Sequence, residues 1–393
     1  MTVTVELGQV RGFVLDDPVA GVLDNTEHPL GGLAFVDVSD FVYTLSIRRG
    51  KNRDLDRYNA GNVSVGLRNN LRTFDPVVGT VVDTIPRVPI KVTVDGADQF
   101  YGLVNDWNYD YQPGEDSTAT VMGSDELTKL ATQNVVSSGT ATVQDSGARV
   151  SEVLDMFTVA WPADRRNIDV GVSDVEATVW ESQNALEYLQ TVERSEQGQL
   201  FVGKSGDLVF RNRSDAAPTS AGLVKFSDDG TGVPVRQFLV DYGSELMVNR
   251  AVVSNSSGTA VAQDDLSLVT YGVIQTEIDT ILESGLQGYA DYIVAKYGQP
   301  EYRFSGVLVN LDSISPSHRA SVLGLELGDV VQIVFTPNGV GAPIDKYGQV
   351  ISIEHNKDTS QHNIQFGLAA ADFASLVLDD TVFGRLDVNS LGF

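Results

Sequence analysis

The chain has 393 residues, 42% hydrophobic and 20% charged, with 27 Lys+Arg against 53 Asp+Glu and a formal net charge of −26. Such a length suggests roughly two to four domains with ordinary globular cores. The acidic balance argues against equilibrium nucleic-acid binding, which needs Lys and Arg to neutralise phosphates, and the absence of cysteine excludes disulfides and thiolate chemistry.

The N-terminal MTVTVELGQVRGF alternates like a strand and lacks the basic-then-apolar layout of a signal peptide. No run approaches the ~18 apolar residues of a membrane span, so a soluble chain made in the cytoplasm, without membrane insertion, is expected. Turn punctuation follows at Asp16-Asp17-Pro18, Asn25, Pro29 and Gly31-Gly32. From Ala34 the pattern is β: AFVDV, VYTLSI, a polar loop, NVSVGL, VPIKVTV, a tight turn at Asp95-Gly96, QFYGLVNDW and STATVMG. A short helix, SDELTKLA, closes this set, with Ser124 and Asp125 as N-cap candidates. These elements suggest a small β-barrel or sandwich.

Residues 131–215 read as an α+β module. VSEVLDMFTVA (150–160) is amphipathic at helical spacing, with Val153, Leu154 and Phe157 on one face and Trp161-Pro162 as its stop. A second helix, ALEYLQTVERSEQ, follows Asn184, which stands at capping-box spacing from Glu187, and ends at Gly198. QLFVGKSGDLVFRNR then predicts a hairpin across Lys204-Ser205-Gly206. SDAAPTSAG (214–222) has linker composition. Short strands are expected in GLVKF, LMVNRAVVS and LSLVTYG, and the longest helix in TEIDTILESGLQGYADYIVAKYG, stopped by Gly298 and Pro300. Strands resume with YRFSGVLVNL, GDVVQIVFT, KYGQVISIEH and HNIQFGLA, closed by a helix in ADFASLVL.

The last part repeats the first. Tyr58-Asn-Ala-Gly-Asn-Val-Ser-Val parallels Tyr302-Arg-Phe-Ser-Gly-Val-Leu-Val, and Tyr101-Gly-Leu-Val parallels Tyr347-Gly-Gln-Val, at spacings of 43 and 45 positions. In both copies an alternating strand and a short helix follow. An internal duplication fixes architecture ahead of any motif.

Positive charge concentrates in one place. Arg48, Arg49, Lys51, Arg53, Arg57, Arg68 and Arg72 place 7 of the 27 Lys+Arg within 25 residues, against only Asp54 and Asp56. A cationic β-loop on an acidic body is either a solvated hairpin tip with local ion pairs or a docking element for an acidic neighbouring subunit. Arg suits the second role through its planar bidentate donors. Arg48, Arg49, Lys51, Arg53 and Arg57 are the candidate interface residues.

Enzymatic motifs are missing. His28, His318, His355 and His362 are too scattered for a convincing metal site, although His355 and His362 fall on two strands of one hairpin. There is no H-E-x-x-H, G-x-S-x-G, Walker loop or G-x-G-x-x-G. Asp228-Asp229-Gly230 lacks the spacing of a calcium loop and reads as a turn. The run Asp106-Trp107-Asn108-Tyr109-Asp110-Tyr111 suggests either stacking on a base or sugar or, preferably, a strand at a core edge with alternating faces. No catalytic residues, cofactors or metals are expected.

Taken together, Leu23-Asp-Asn, Asp37-Val-Ser-Asp40, Ile47-Arg-Arg-Gly50, Leu55-Asp-Arg-Tyr-Asn-Ala-Gly61, Phe74-Asp-Pro76, Asp95-Gly96, Tyr101-Gly102, Asp106-Trp107, Asn249-Arg250, Tyr271-Gly272, Gly328-Asp329 and VISIEH resemble, in order along the chain, the tail-hub type of minor tail protein from siphophages of Actinobacteria. Gly298, where a more helical residue is expected, is the one departure. The resemblance implies a mainly β, multi-domain fold with two tube-like β-barrels per subunit and smaller α+β domains. With the pattern of elements above, the chain is expected to divide into 1–130 (first barrel with closing helix), 131–215 (α+β module), 216–275 (short β segment) and 276–393 (long helix and second barrel). The resemblance further implies a homotrimer at the tail tip whose six barrels form a pseudo-sixfold ring on a hexameric distal tail protein ring. The tape measure protein and downstream adhesion proteins would be neighbours, and phage DNA would cross an acidic lumen without specific binding. A cell-wall-binding adhesin is the alternative. A wall hydrolase has no candidate constellation.

Overall fold

The computed structural model describes residues 1–9, 15, 16, 18, 21, 22, 34–79, 82, 84–112, 116–136, 139–213 and 223–371. The first barrel is built from β1 (Val3–Gln9), β2 (Ala34–Asp37), β3 (Val42–Gly50), β4 (Asn59–Arg68), β5 (Pro89–Val94), β6 (Ala97–Asp110) and β7 (Thr118–Ser124). Strict alternation makes these strands: in β3, Leu45, Ile47 and Arg49 point inward while Thr44, Ser46 and Arg48 point out. The core of this barrel collects Val5, Leu7, Val65, Leu67, Ile90, Val92, Phe100 and Val121.

Helix α1 (Leu127–Ala131) leads into the α+β module, with α2 (Ser146–Asp155), β8 (Arg166–Ile168), α3 (Ala185–Glu196), β9 (Gln199–Val202) and β10 (Leu208–Arg211). Asn184 caps α3 by accepting the Glu187 N–H at 3.1 Å, and β9 and β10 form the expected hairpin. The first helix differs from expectation. It starts earlier, where the Asp145 carboxylate accepts the Ala148 N–H at 2.9 Å, and ends at Asp155. Val150, Val153 and Leu154 are buried, whereas Phe157, beyond the helix end, is 96% exposed. The cap decided the phase that hydrophobic spacing alone had placed too late. Arg149 is fully buried in this module. Its guanidinium donates to Tyr188 Oη (2.6 Å), Thr178 Oγ1 (3.0 Å) and the Thr142 carbonyl (2.7 Å) and lies over the Trp180 ring.

The second barrel comprises β11 (Val224–Ser227) and β12 (Gln237–Tyr242), then, after an insertion, four further strands. The insertion is β13 (Arg250–Ser254), β14 (Thr259–Gln263), α4 (Asp265–Tyr271), β15 (Gln275–Asp279) and α5 (Leu286–Tyr297). It has its own core of Val248, Ala251, Val253, Tyr289, Ala290 and Ile293. LSLVTYG is therefore the helix α4, because the Asp264 carboxylate caps it through the Ser267 N–H at 3.0 Å. TEIDT is the strand β15, and the long helix begins only at Leu286. That helix packs on β13 and β14, so it belongs with the insertion and not on the second barrel; β11 and β12, from the expected short β segment, join the barrel sheet instead. The barrel continues with β16 (Tyr302–Asn310), α6 (Pro316–Gly324), β17 (Val330–Phe335), β18 (Ile344–Lys357) and β19 (His362–Ala370). Helix α6 is signalled by Ser315-Pro316: Ser315 caps the His318 N–H at 3.2 Å and Pro316 sits in the first turn. The helix expected in ADFASLVL, the linker 214–222, His28 and Leu23-Asp-Asn lie outside the described residues, apart from Ala371.

The duplication is visible in the ladders. The first barrel runs β3-β4-β7-β6-β5 and the second β12-β16-β19-β18-β17, the same order in both. Both carry a β-bulge at the same place, between Val104 and Asp106 against β7 and between Val350 and Ser352 against β19. Val104 and Val350 each stand three residues past the Tyr of Tyr101-Gly102 and Tyr347-Gly348. Bulges are retained as built features, so this match is stronger than the residue likeness. The Tyr58/Tyr302 match does not hold: Tyr58 is buried against Phe201, whereas Tyr302 is 39% exposed at a strand end. The barrels also differ at one margin, where β1 meets β5 antiparallel and β11 meets β17 parallel.

One seam joins the barrels. β3 pairs antiparallel with the far half of β18, from Gly50 opposite Ser352 to Leu45 opposite Lys357, giving a single 13-stranded sheet among the described residues. Gly50 makes the approach feasible: its φ is +105°, and a Cβ there would stand 2.2 Å from the Ile351 carbonyl oxygen. Gly50→Ala is expected to lower the unfolding free energy by about 2–4 kcal/mol in urea denaturation. An unchanged midpoint would show that the seam is not close-packed at this residue.

Candidate functional site: the cationic loop at the barrel seam

The five cationic residues singled out above lie at the seam, and most of their charge is met inside the chain. Arg48 points outward and pairs across the seam with Glu354 at 3.0 Å and with Asn52 at 2.6 Å. Arg49 takes the next inward position after Leu45 and Ile47 and is only 4% exposed. It cannot face a neighbouring subunit. Its Nη2 donates to Glu326 Oε1 at 2.7 Å and to the Val202 carbonyl at 3.0 Å. Gly61 leaves room for it, since a Cβ there would lie 2.9 Å from both Arg49 Cγ and Asp125 Oδ2.

Glu326 is the centre of this contact. Its carboxylate also accepts the backbone N–H groups of Lys204 (2.9 Å) and Leu327 (2.8 Å). Burial pushes its carboxyl up, but Arg49 and the two N–H groups outweigh that and hold it below the ordinary value. Lys204, at the tip of the β9–β10 hairpin, donates Nζ to the carbonyls of Leu323, Gly324 and Leu325 at the end of α6, where a cation complements the helix C-terminus. The two barrels and the α+β module thus meet at one ion pair.

Residues 51–58 form a second junction. Lys51 Nζ bonds the Asp54 carbonyl and lies 5.2 Å from the centre of the Tyr58 ring. Asp54 receives Lys296 at 3.4 Å and the Tyr297 hydroxyl at 2.5 Å from α5. Burial raises the Asp54 carboxyl, and Lys296, Lys51 and Tyr297 together bring it below its ordinary range. Arg57 donates to Gln190 Oε1 on α3 at 3.1 Å, while Gln190 donates to the Tyr58 carbonyl at 3.3 Å. Arg53 pairs with Glu245 at 2.6 Å, both side chains being exposed. Asp54 and Gln190, unremarkable in sequence, are therefore as much part of the site as the arginines. Arg49, by contrast, was legible from its place in the Leu45-x-Ile47-x-Arg49 alternation.

Beneath the seam, His355 and His362 face each other on the β18–β19 hairpin, with Nδ1 of the first 3.2 Å from Nε2 of the second and both rings buried. One donates to the other. Among the described residues no group of three His, Cys, Asp or Glu could hold a metal ion. The aromatic run of β6 is also used internally: Trp107, Tyr109 and Tyr111 stack in a ladder with centroids 6.4 and 6.0 Å apart, and Phe74 extends it toward the core. That is the core-edge strand preferred above. Asp228-Asp229-Gly230 is a turn, with the Asp229 carboxylate accepting from Ser227 and Thr231.

No protein-family model and no curated protein matches this sequence. Solved structures do match. The 43 kDa tail protein of prophage MuSo2 from Shewanella oneidensis aligns over 94% of this chain and 96% of its own, with 14% identity and a TM-score of 0.61. The tail protein from Neisseria meningitidis MC58 aligns over 95% and 97%, with 11% identity and a TM-score of 0.59. Prophage tail protein gp18 from Listeria monocytogenes EGD-e aligns over 94% and 95%, with 10% identity and a TM-score of 0.52. At such identities the likeness establishes the fold: this is the multi-domain, β-rich architecture of phage tail proteins, matched over nearly the whole chain.

Two predictions follow from the site chemistry. Arg49→Met leaves Glu326 buried without its cation and should destabilise the chain by about 3–5 kcal/mol; adding Glu326→Gln should recover part of that loss, and a double-variant cost equal to the sum of the two single-variant costs would show that the pair is not coupled. The histidines set a pH dependence. Burial, followed for His355 by the charge of its neighbour, lowers both, His362 to about 4. A depressed folded-state value means that the unfolded chain takes up the proton first, so stability is complete above about pH 6.5 and falls as pH drops toward 4. Burial raises Asp125 and Glu193 to about 7, which acts in the opposite sense, favouring the fold below neutrality. Comparison with His362→Gln isolates the contribution of His362, expected to reach roughly 2–3 kcal/mol between pH 7 and 4.5. Parallel stability curves for the two proteins would contradict it.

Proposed function

We propose that this chain is a structural hub protein of a siphophage tail tip, of the kind carried by phages of Actinobacteria, acting as a homotrimer with no catalytic role. The reading rests above all on one observation: a single chain fuses two barrels of the same strand order into one sheet, within a fold shared with phage tail proteins. Three copies then supply six like barrels, and closed cyclic assembly lets a trimer present pseudo-sixfold symmetry to a hexameric distal-tail ring. The tape measure protein and the downstream adhesion proteins are the proposed further partners.

Charge supports the same reading. A body of net charge −26 surrounding a central channel repels the DNA polyanion and keeps it from adhering during passage. Within the cationic loop, Arg48 and Arg53, with side chains 58% and 57% exposed, are the residues left available for contact with a neighbouring subunit or ring. The alternative of a glycan-binding adhesin has less support, because the rings of Trp107, Tyr109 and Tyr111 stack on one another.

Sedimentation equilibrium on the purified protein tests the assembly. The expected species is three times the 42.4 kDa chain mass, approached with rising concentration. A stable dimer would be incompatible with six barrels in a ring and would overturn the proposal.

A further inference from the structure

Inside the chain the second barrel meets the first by one edge: β3 lies along the far half of β18, Ser352–Lys357. In the duplicated strand order, β12 is the counterpart of β3, and β6 is the counterpart of β18. The shared bulge aligns β6 beyond Asp106 with β18 beyond Ser352. Among the described residues β12 pairs only with β16, and β6 beyond Val104 pairs only with β7. Within the described residues each chain therefore carries one internal seam and, at the two equivalent positions, one free edge of each kind.

We infer that the free edge of β12 in one copy pairs antiparallel with the far half of β6 in a second copy, repeating the internal seam between chains. This rests on reading the chain as a ring-forming subunit, and it names the surface by which the ring closes. Carrying the internal register across, in which Ile47 faces His355 and Arg48 faces Glu354, sets Val240 opposite Tyr109 and Asp241 opposite Asn108. The side-chain phase agrees: Val240 and Tyr109 are half-buried, as inward positions require, while Asp241 and Asn108 are exposed. Free strand edges invite pairing with another chain and are commonly covered in the native assembly. A head-to-tail contact of this type generates a ring when its rotation closes.

A second feature repeats in the same way. The segment between β16 and β17 carries α6 over the first barrel, where the Leu323 carbonyl accepts from Gln99 at 3.3 Å and Arg319 pairs with Asp95 at 3.1 Å. Its counterpart in the first barrel follows β4 and carries Leu71 and Val77, 90% and 84% exposed. Across the inferred seam it falls over the turn between β17 and β18 of the copy that supplies β12, where Val340 is 75% exposed. Apolar side chains left uncovered in one chain thus meet in two.

The chain contains no cysteine, so introduced thiols are the only ones present. Residues directly opposite in an antiparallel pair have Cα atoms ~4.5–5.5 Å apart, within disulfide reach. The full-length double variant Asp241→Cys/Asn108→Cys, oxidised after assembly, is expected to give a reducible covalent trimer as the end product on non-reducing gels. Either single variant should give none. The pair Leu239→Cys/Asp110→Cys, one step along the same ladder, provides an independent check should the first disturb folding. A trimer by sedimentation in which neither double variant cross-links would overturn the edge pairing and leave the hub reading standing. A chain monomeric at every concentration and free of cross-links would overturn both.

Discussion

The rest of the molecule depends on the hydrogen-bonded ladder between β3 and the far half of β18. A strand ladder fixes register in steps of one residue, and a slip would turn every side chain of β3 to the wrong face. The alternation that buries Leu45 and Ile47 in the first barrel therefore also determines where the second barrel sits. Gly50 at one end of the ladder and the histidine pair beneath it are both shaped by this contact.

An ion pair occupies the position where the alternation calls for another apolar side chain. Arg49 continues the inward row and finds Glu326 from the second barrel and a carbonyl from the α+β module. A buried pair of this type contributes little net stability relative to well-packed apolar groups, but losing one partner is costly. Its effect here is to make the three units mutually dependent. The same logic holds at Asp54, whose carboxylate is stabilised by lysines from both the loop and α5. What reads in sequence as a local excess of positive charge is, in the fold, largely the cationic half of contacts whose acidic half lies far along the chain.

That difference sets what was legible in the sequence. Strands were readable because period-two alternation is local, and the duplication because Tyr101-Gly102 and Tyr347-Gly348 mark equivalent strands. Helix phase was less so: Asp145, Asp264 and Ser315 act through caps, and the apolar spacing of Val153, Leu154 and Phe157 suggested a later helix than the cap permits. Partners separated by hundreds of residues, Arg49 with Glu326 or Asp54 with Lys296, were not readable at all, since nothing local marks Glu326 as the acceptor. The bulges shared by β6 and β18, which give the duplication its firmest support, leave no signature in composition.

The proposed hub brings these elements together: a seam used once within the chain, its two equivalent edges unpaired among the described residues, and an acidic body suited to a channel for DNA. The most direct measurement is averaging of the tail tip in purified virions by electron cryomicroscopy. The account predicts three copies on the tube axis, their six barrels arranged as a pseudo-sixfold ring around an open or closed lumen. Copies found only on peripheral fibres, away from the axis, would contradict it and favour an adhesin.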